Sequence, residues 1–222
     1  SGVLTNRESY RQIRKNPTKI RHDHAPTLQP SHSDYAEFKN RFPLVEKFFA
    51  RLGEALPDNT WIFDDNIIFA QNFYKVTTGN RLFPNSGISS LGHAIPAAIG
   101  ARFCDQKSTW AIIGDGGFQM CCMEIMTAVN YNIPLNIVLF NNATMGLIRK
   151  NQTQQYQKRF IDCDFINPDY EVMAKSFGIL YHKIENEKNL NDLFKDCDLH
   201  NAINLIEIPL DKDAFPNYSS RR

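Results

Sequence analysis

Two kinds of apolar pattern alternate along the chain. From Pro43, PLVEKFFARLGEAL places Leu44, Val45, Phe48, Phe49, Leu52 and Leu56 on one helical face, with Pro43 suited to the first turn. TWIFD (60–64) reads as a short buried strand, IPAAIGARF (95–103) as a helix of small residues, and STWAIIG (108–114) as a strand. The order then repeats. FQMCCMEIMTAVNYN (118–132) predicts a helix and PLNIVLFN (134–141) a strand. NPDYEVMAKSFG (167–178) predicts a helix with Asn167 as cap, Pro168 in first position and Gly178 as stop. LYHKI reads as a strand, KNLNDLFKDCDL as a helix and AINLIEIPL as a last strand. Strands that are apolar throughout, and not at every second position, are buried on both faces. Alternating with helices, they predict an α/β fold, a doubly wound, mostly parallel sheet with helices on both faces.

Residues 1–34 break this pattern. They are basic, proline-containing and poor in apolar residues, as in a linker or the trailing end of a preceding domain. His22, His24 and His32 have no neighbouring cysteine, and prolines stand between His24 and His32, which disfavours a metal site. The chain opens on Ser-Gly, as at an internal cut, and so reads as a fragment. Its 42% hydrophobic and 22% charged content is that of a soluble globular protein, and a net charge of +1 gives no ground for a nucleic-acid or anionic-membrane partner. No apolar run approaches the roughly 18 residues of a spanning helix, and the N-terminus lacks a signal-peptide core. The five cysteines are odd in number and include the adjacent pair Cys121-Cys122. They read as free thiols, small buried hydrophobes of a reducing cytoplasm.

The candidate chemistry lies where two strands end. AIIGDGGF (111–118) stops at Gly114-Asp115-Gly116-Gly117, and PLNIVLFNN ends on Asn141-Asn142. In an open parallel sheet, ligands sit at the carboxyl ends of the strands, where the following helices begin. The glycines let backbone amides approach a ligand closely, and a helix start favours phosphate. Asp115 repels phosphate unless a cation lies between them. Magnesium resolves the conflict, because it takes oxygen ligands in octahedral geometry. Asn142 offers an amide oxygen, a backbone carbonyl beyond it a third ligand, and one right-handed crossover brings 141–142 beside 114–116. A metal-bound diphosphate follows. Taken singly, Asp-Gly marks a turn and Asn-Asn a loop; only their pairing across strand, helix and strand is specific.

GDG followed about two dozen residues later by NN resembles the signature of thiamine-diphosphate-dependent enzymes. NSGISSLGHAIPAAIGARF (85–103), GDGGFQMCCMEIMTAVNYNIPLNIVLFNNATMGLIRKNQ and NPDYEVMAKSFGI resemble the diphosphate-binding, C-terminal domain of acetolactate synthase large subunits. The resemblance implies thiamine diphosphate and Mg2+ as cofactors and a 2-keto acid as substrate. It implies decarboxylation and carboligation, with a benzoylformate- or sulfopyruvate-type decarboxylase or a non-catalytic cofactor-binding relic as alternatives. It divides the chain into 1–42 as linker or end of a middle domain, 43–210 as cofactor domain and 211–222 as polar tail. By motif, Asp115, Asn142 and the Thr144 carbonyl match the magnesium ligands. Gly114, Gly116, Gly117, Gly146 and Leu147 match the backbone that meets the diphosphate. Ser90 and Leu91 fall beside the cofactor, with Leu91 either the apolar wedge that bends it or ordinary core packing.

Three departures accompany the likeness. The family's activating glutamate belongs to a pyrimidine-binding domain that nothing here resembles. That domain of the same or another chain is the implied partner, in a homodimer or homotetramer, and the isolated chain is expected to be inactive. Glu124 matches a glutamate of structural character. IFDDNIIFAQNFY (62–74) places Asp64-Asp65-Asn66 where the family often carries Gln-His facing the diphosphate, so a carboxylate is expected close to that group and weakens its binding. Asn151 stands where many acetolactate synthases have a tryptophan that favours 2-ketobutyrate.

Overall fold

A computed structural model describes residues 40–77, 79–85, 89–104 and 107–214, all within the compact unit Ser33–Arg222. The histidines at 22, 24 and 32 and the segment 1–39 lie outside the described residues. Helix α1 (Pro43–Ala55) leads into β1 (Trp61–Asp64), α2 (Ile68–Phe73) and β2 (Arg81–Pro84). Next come α3 (Ala94–Cys104), β3 (Thr109–Gly114), α4 (Asp115–Cys121), a 3-10 turn over Cys122–Glu124, and α5 (Ile125–Asn130). Then follow β4 (Leu135–Asn141), α6 (Gly146–Gln155), α7 (Tyr170–Phe177), β5 (Leu180–Lys183), α8 (Glu187–Asp196) and β6 (Ile203–Pro209).

The six strands form one all-parallel sheet in the order β2-β1-β3-β4-β6-β5. Alternate side chains explain why its strands read as continuous apolar runs. Trp110 and Ile112 of β3 join Val138 and Phe140 of β4 in a core closed by Val45, Phe48, Phe49 and Leu52 of α1 with Leu190 and Leu193 of α8. Ala111 and Ile113 join Ile137 and Leu139 against Ala94, Ile95 and Ala98 of α3, Ile125 and Ala128 of α5, and Ala174 of α7. These residues of β3 and β4 therefore meet a helix layer on one side or the other, and the fold is the doubly wound α/β arrangement its sequence pattern implies.

The departures are local. The helix expected over 118–132 starts three residues earlier, at Asp115, and is broken by the 3-10 turn. The cap of α7 is Asp169, whose Oδ1 accepts from Val172 N at 3.0 Å, and not Asn167. Gly178, with φ +71°, ends that helix in the left-handed conformation. Cys121, Cys122 and Cys163 are buried, and burial pushes the Cys121 thiol up to about 12, but Cys104 is exposed, contrary to its expected burial. Among the described residues all cysteines are free thiols, and no helix is long and apolar enough to cross a membrane.

Candidate functional site

The strand order reverses between β1 and β3, since β1 leads to β2 on one side and β3 to β4 on the other. A crevice therefore opens at the carboxyl ends of β1 and β3. Asp64 and Asp65 close β1, and Gly114-Asp115-Gly116-Gly117 closes β3 and begins α4.

Asp115 is 2% exposed and heavily bonded. Its Oδ2 accepts from the backbone N–H of Asn142 (3.1 Å), the N–H of Ala143 (2.6 Å) and Asn167 Nδ2 (2.8 Å). Its Oδ1 accepts from the adjacent Gly116 N at 2.9 Å. Two successive amides reach one oxygen because Ala143 takes a left-handed φ of 52°, unusual for a residue with a side chain. Burial raises the Asp115 pKa, and the Asn167, Ala143, Gly116 and Asn142 donors partly offset it. Oδ2 thus carries three donors and Oδ1 one.

Asn142 Oδ1 accepts from Thr144 N at 3.3 Å. Thr144 is buried, and its hydroxyl donates to the Cys163 carbonyl at 2.8 Å. It pairs with Asp164 in an antiparallel bridge whose bonds run from Met145 N to Cys163 O and from Phe165 N to Ala143 O, leaving the Thr144 carbonyl outside them. Arg149 fixes this returning segment, holding Asp164 through Nη1 at 2.7 Å and Asp213 through Nη2 at 2.7 Å while lying over the Phe160 ring. Asp115, Asn142 and Thr144 thus converge on one turn. Carboxylate, amide and carbonyl oxygens form a donor set suited to a hard divalent cation such as Mg2+.

At three of the predicted glycines a side chain would crowd a neighbouring one. A Cβ on Gly116 would lie 2.7 Å from Met145 Cε, one on Gly117 would lie 2.3 Å from Asp65 Oδ2, and one on Gly146 would lie 2.9 Å from Asn142 Nδ2. Gly114 has more room and an extended backbone as the N-cap of α4. Leu147, in the first turn of α6, is 46% exposed. Ser90 is exposed and Leu91 half-buried. Their loop lies against α4, for a Cβ on Gly92 would meet Met120 Cβ at 3.2 Å and Gly117 O at 3.7 Å.

Asp64 and Asp65 are both buried and bonded to backbone amides, and Asp65 lies against Gly117 of the glycine cradle. Asp65 Oδ2 accepts from Gly92 N at 2.8 Å, and its Oδ1 from His93 N (2.8 Å) and Ala94 N (3.3 Å), so it caps α3. Asp64 accepts from Ile67 N at 2.8 Å and Gln71 Nε2 at 3.3 Å. Burial pushes the Asp64 carboxyl up to about 7. Asn167 is the site residue the sequence did not reveal. It reads as a helix cap, and only the fold shows that Asp169 takes that task and frees Asn167 to bond Asp115.

The chain is a doubly wound α/β domain with an oxygen-rich turn and a glycine cradle at the carboxyl ends of β3 and β4. The family model for the thiamine pyrophosphate enzyme C-terminal TPP binding domain matches residues 66–208, more than half of the chain, and the chain belongs to that family. It is 34% identical over 144 residues to the probable acetolactate synthase large subunit of Methanococcus aeolicus, covering 63% of this chain and 24% of that protein. To the acetolactate synthase large subunit of Lactococcus lactis it is 32% identical over 130 residues, covering 58% of this chain and 23% of that protein. The chain thus spans about a quarter of the length of these relatives. Benzoylformate decarboxylase from Polynucleobacter necessarius has the same fold, with TM-score 0.67 and 18% identity over 77% of this chain and 34% of that one. The 4-hydroxybenzoylformate decarboxylase of Rhodococcus jostii superposes with TM-score 0.68 at 21% identity, over 77% of this chain and 33% of that one.

Proposed function

We propose that this chain is the thiamine-diphosphate- and Mg2+-binding part of an acetolactate-synthase-like enzyme acting on 2-keto acids. The observation that carries the reading is the convergence of Asp115, Asn142 and Thr144 on one turn beside Gly116 and Gly117. In this reading Asp115 Oδ1, Asn142 Oδ1 and the Thr144 carbonyl hold the metal. The backbone of Gly114, Gly116, Gly117, Gly146 and Leu147 receives the diphosphate, and the Ser90-Leu91 loop lies against the rest of the cofactor. When bound, thiamine diphosphate supplies an electron sink for decarboxylating a 2-keto acid and for joining the product to a second one. The chain's own residues anchor and orient it.

The activating glutamate is assigned to a pyrimidine-binding domain of the same or another chain, within a cytoplasmic homodimer or homotetramer. Residues 43–210 act as the cofactor domain, and the purified chain alone does not turn over. A 2-keto acid decarboxylase of the benzoylformate or sulfopyruvate type is the second reading, and the shared fold is compatible with it. Product analysis of the complete assembly on pyruvate separates the two, acetolactate supporting ligation and acetaldehyde decarboxylation.

Binding is tested by thermal unfolding with thiamine diphosphate and Mg2+. At a hundredfold excess over Kd the cofactor contributes about 2.7 kcal/mol, which raises Tm by roughly 5–10 °C. EDTA and Asp115→Ala are each expected to abolish the rise. A rise that survives both contradicts the metal-bridged site.

A further inference from the structure

The adjacent amides of Asn141 and Asn142 have different duties. Asn142 belongs to the cation turn, whereas Asn141 lies at the end of β4 in a row of polar groups running away from it. Asn141 Nδ2 donates to Glu207 Oε1 at 2.6 Å. Its Oδ1 accepts from Asn167 Nδ2 at 2.7 Å, and Asn167 Nδ2 also donates to Asp115 Oδ2 at 2.8 Å. Asn167 Oδ1 accepts from Gln119 Nε2 at 2.7 Å. The far oxygen of Glu207 accepts from the Tyr181 hydroxyl. Burial first, and Glu207 second, push the Tyr181 pKa up, so the phenol keeps its proton and remains a donor.

The polarity of this row is fixed at both ends. A carboxylate oxygen only accepts, so Glu207 turns the Asn141 amide to present N–H toward it and C=O toward Asn167. That carbonyl and the Asp115 carboxylate then turn Asn167 so that its N–H groups face them both, and the Gln119 amide donates to the oxygen that remains. A flipped Asn167 would place its carbonyl against the Asp115 carboxylate and the Asn141 carbonyl. Glu207 is 5% exposed, on β6, on the far side of β4 from β3, so the orientation of Asp115 is set from two strands away.

Resting on the proposed cofactor reading, we infer that Asn167 is a positioning residue for the Asp115 carboxylate, and that Asn141 and Glu207 lock its amide. By keeping Asp115 Oδ2 occupied, the row directs Oδ1 toward the cation, as supporting hydrogen bonds do for metal-ligating carboxylates generally.

The test uses the 222-residue chain with thiamine diphosphate and Mn2+, reading free Mn2+ by its electron paramagnetic resonance. Thermal unfolding of the cofactor-free chains is measured in parallel. Asn167→Ala and Asn141→Leu are each expected to weaken Mn2+ binding about 10- to 100-fold. The exchange Asn141→Asp with Glu207→Gln keeps an acceptor facing Asn167 and supplies a new donor to it from residue 207, so it is expected to restore affinity to within a few-fold of the parent. Parent-like affinity in Asn167→Ala, with or without a lower cofactor-free Tm, overturns the inference. So does an exchange variant that binds as weakly as Asn141→Leu although it melts like the parent. A parent chain that binds neither Mn2+ nor thiamine diphosphate overturns the cofactor reading itself, and the inference with it.

Discussion

Asp64→Asn is expected to be more stable than the parent at pH 8 by about 3 kcal/mol, an advantage that disappears by about pH 4. Asp64 is fully buried at the end of β1, and burial raises its carboxyl from 3.8 to about 7 in the folded chain. Between those values the folded state holds a proton that the unfolded state has lost. The contribution of this group to stability is therefore full below about pH 4, falls as pH rises, and is gone above about pH 7. A displacement of that size corresponds to on the order of 4 kcal/mol. Asparagine keeps an oxygen for Ile67 N but gives up the Gln71 bond, a loss of about 1 kcal/mol. For a domain of this size the net gain corresponds to a Tm difference of roughly 6–12 °C at pH 8. Because Asp115 shifts in the same direction, the difference between variant and parent is the informative quantity. Equal pH profiles for the two chains would show that Asp64 is not buried as a carboxylic acid.

Gly117→Ala has the second large effect, a loss of about 3 kcal/mol. Its Cβ would lie 2.3 Å from Asp65 Oδ2 and 3.2 Å from Ile113 Cγ1. The carboxylate has no easy retreat, since three amides at the start of α3 hold it. Either the cap breaks or α4 shifts, and overpacking of this kind costs about 1–3 kcal/mol or somewhat more. Asp65→Ala alone strands those three N–H groups and is expected to cost a similar amount. The two losses share one cause. In the double variant the new methyl group occupies space the carboxylate has left, so its stability should match that of Asp65→Ala, a coupling of roughly 2–3 kcal/mol. Additive losses, measured by urea denaturation, would contradict the close packing of Asp65 beneath Gly117.

Much of this architecture was legible because a parallel sheet covered on both faces leaves an unmistakable trace. TWAIIG and LNIVLFN are apolar at consecutive positions, and both helix layers need them so. What stayed hidden has physical reasons. Helix α6, GLIRKNQTQQ, buries Arg149 and Lys150 in place of an apolar stripe, so its periodicity is not hydrophobic. Strand β2, RLFP, is a four-residue edge strand with no fully buried residue. The break between α4 and α5 leaves no mark in FQMCCMEIMTAVN, whose residues all suit a helix. At the site, the glycines and Asp115 were readable because their types are restrictive. The inward turn of Asp64 and Asp65 was not, since sequence reveals a carboxylate but not which amides it meets. Asn167 and Asp169 are both competent helix caps, and only the packing of α7 decides between them.

Anomalous diffraction from crystals of this chain grown with thiamine diphosphate and Mn2+ tests the central claim most directly. One strong manganese peak is expected within about 2.2 Å of Asp115 Oδ1, of Asn142 Oδ1 and of the Thr144 carbonyl, with diphosphate density over Gly116 and Gly117. A peak bonded to other residues, or a diphosphate bound away from the ends of β3 and β4, would contradict it.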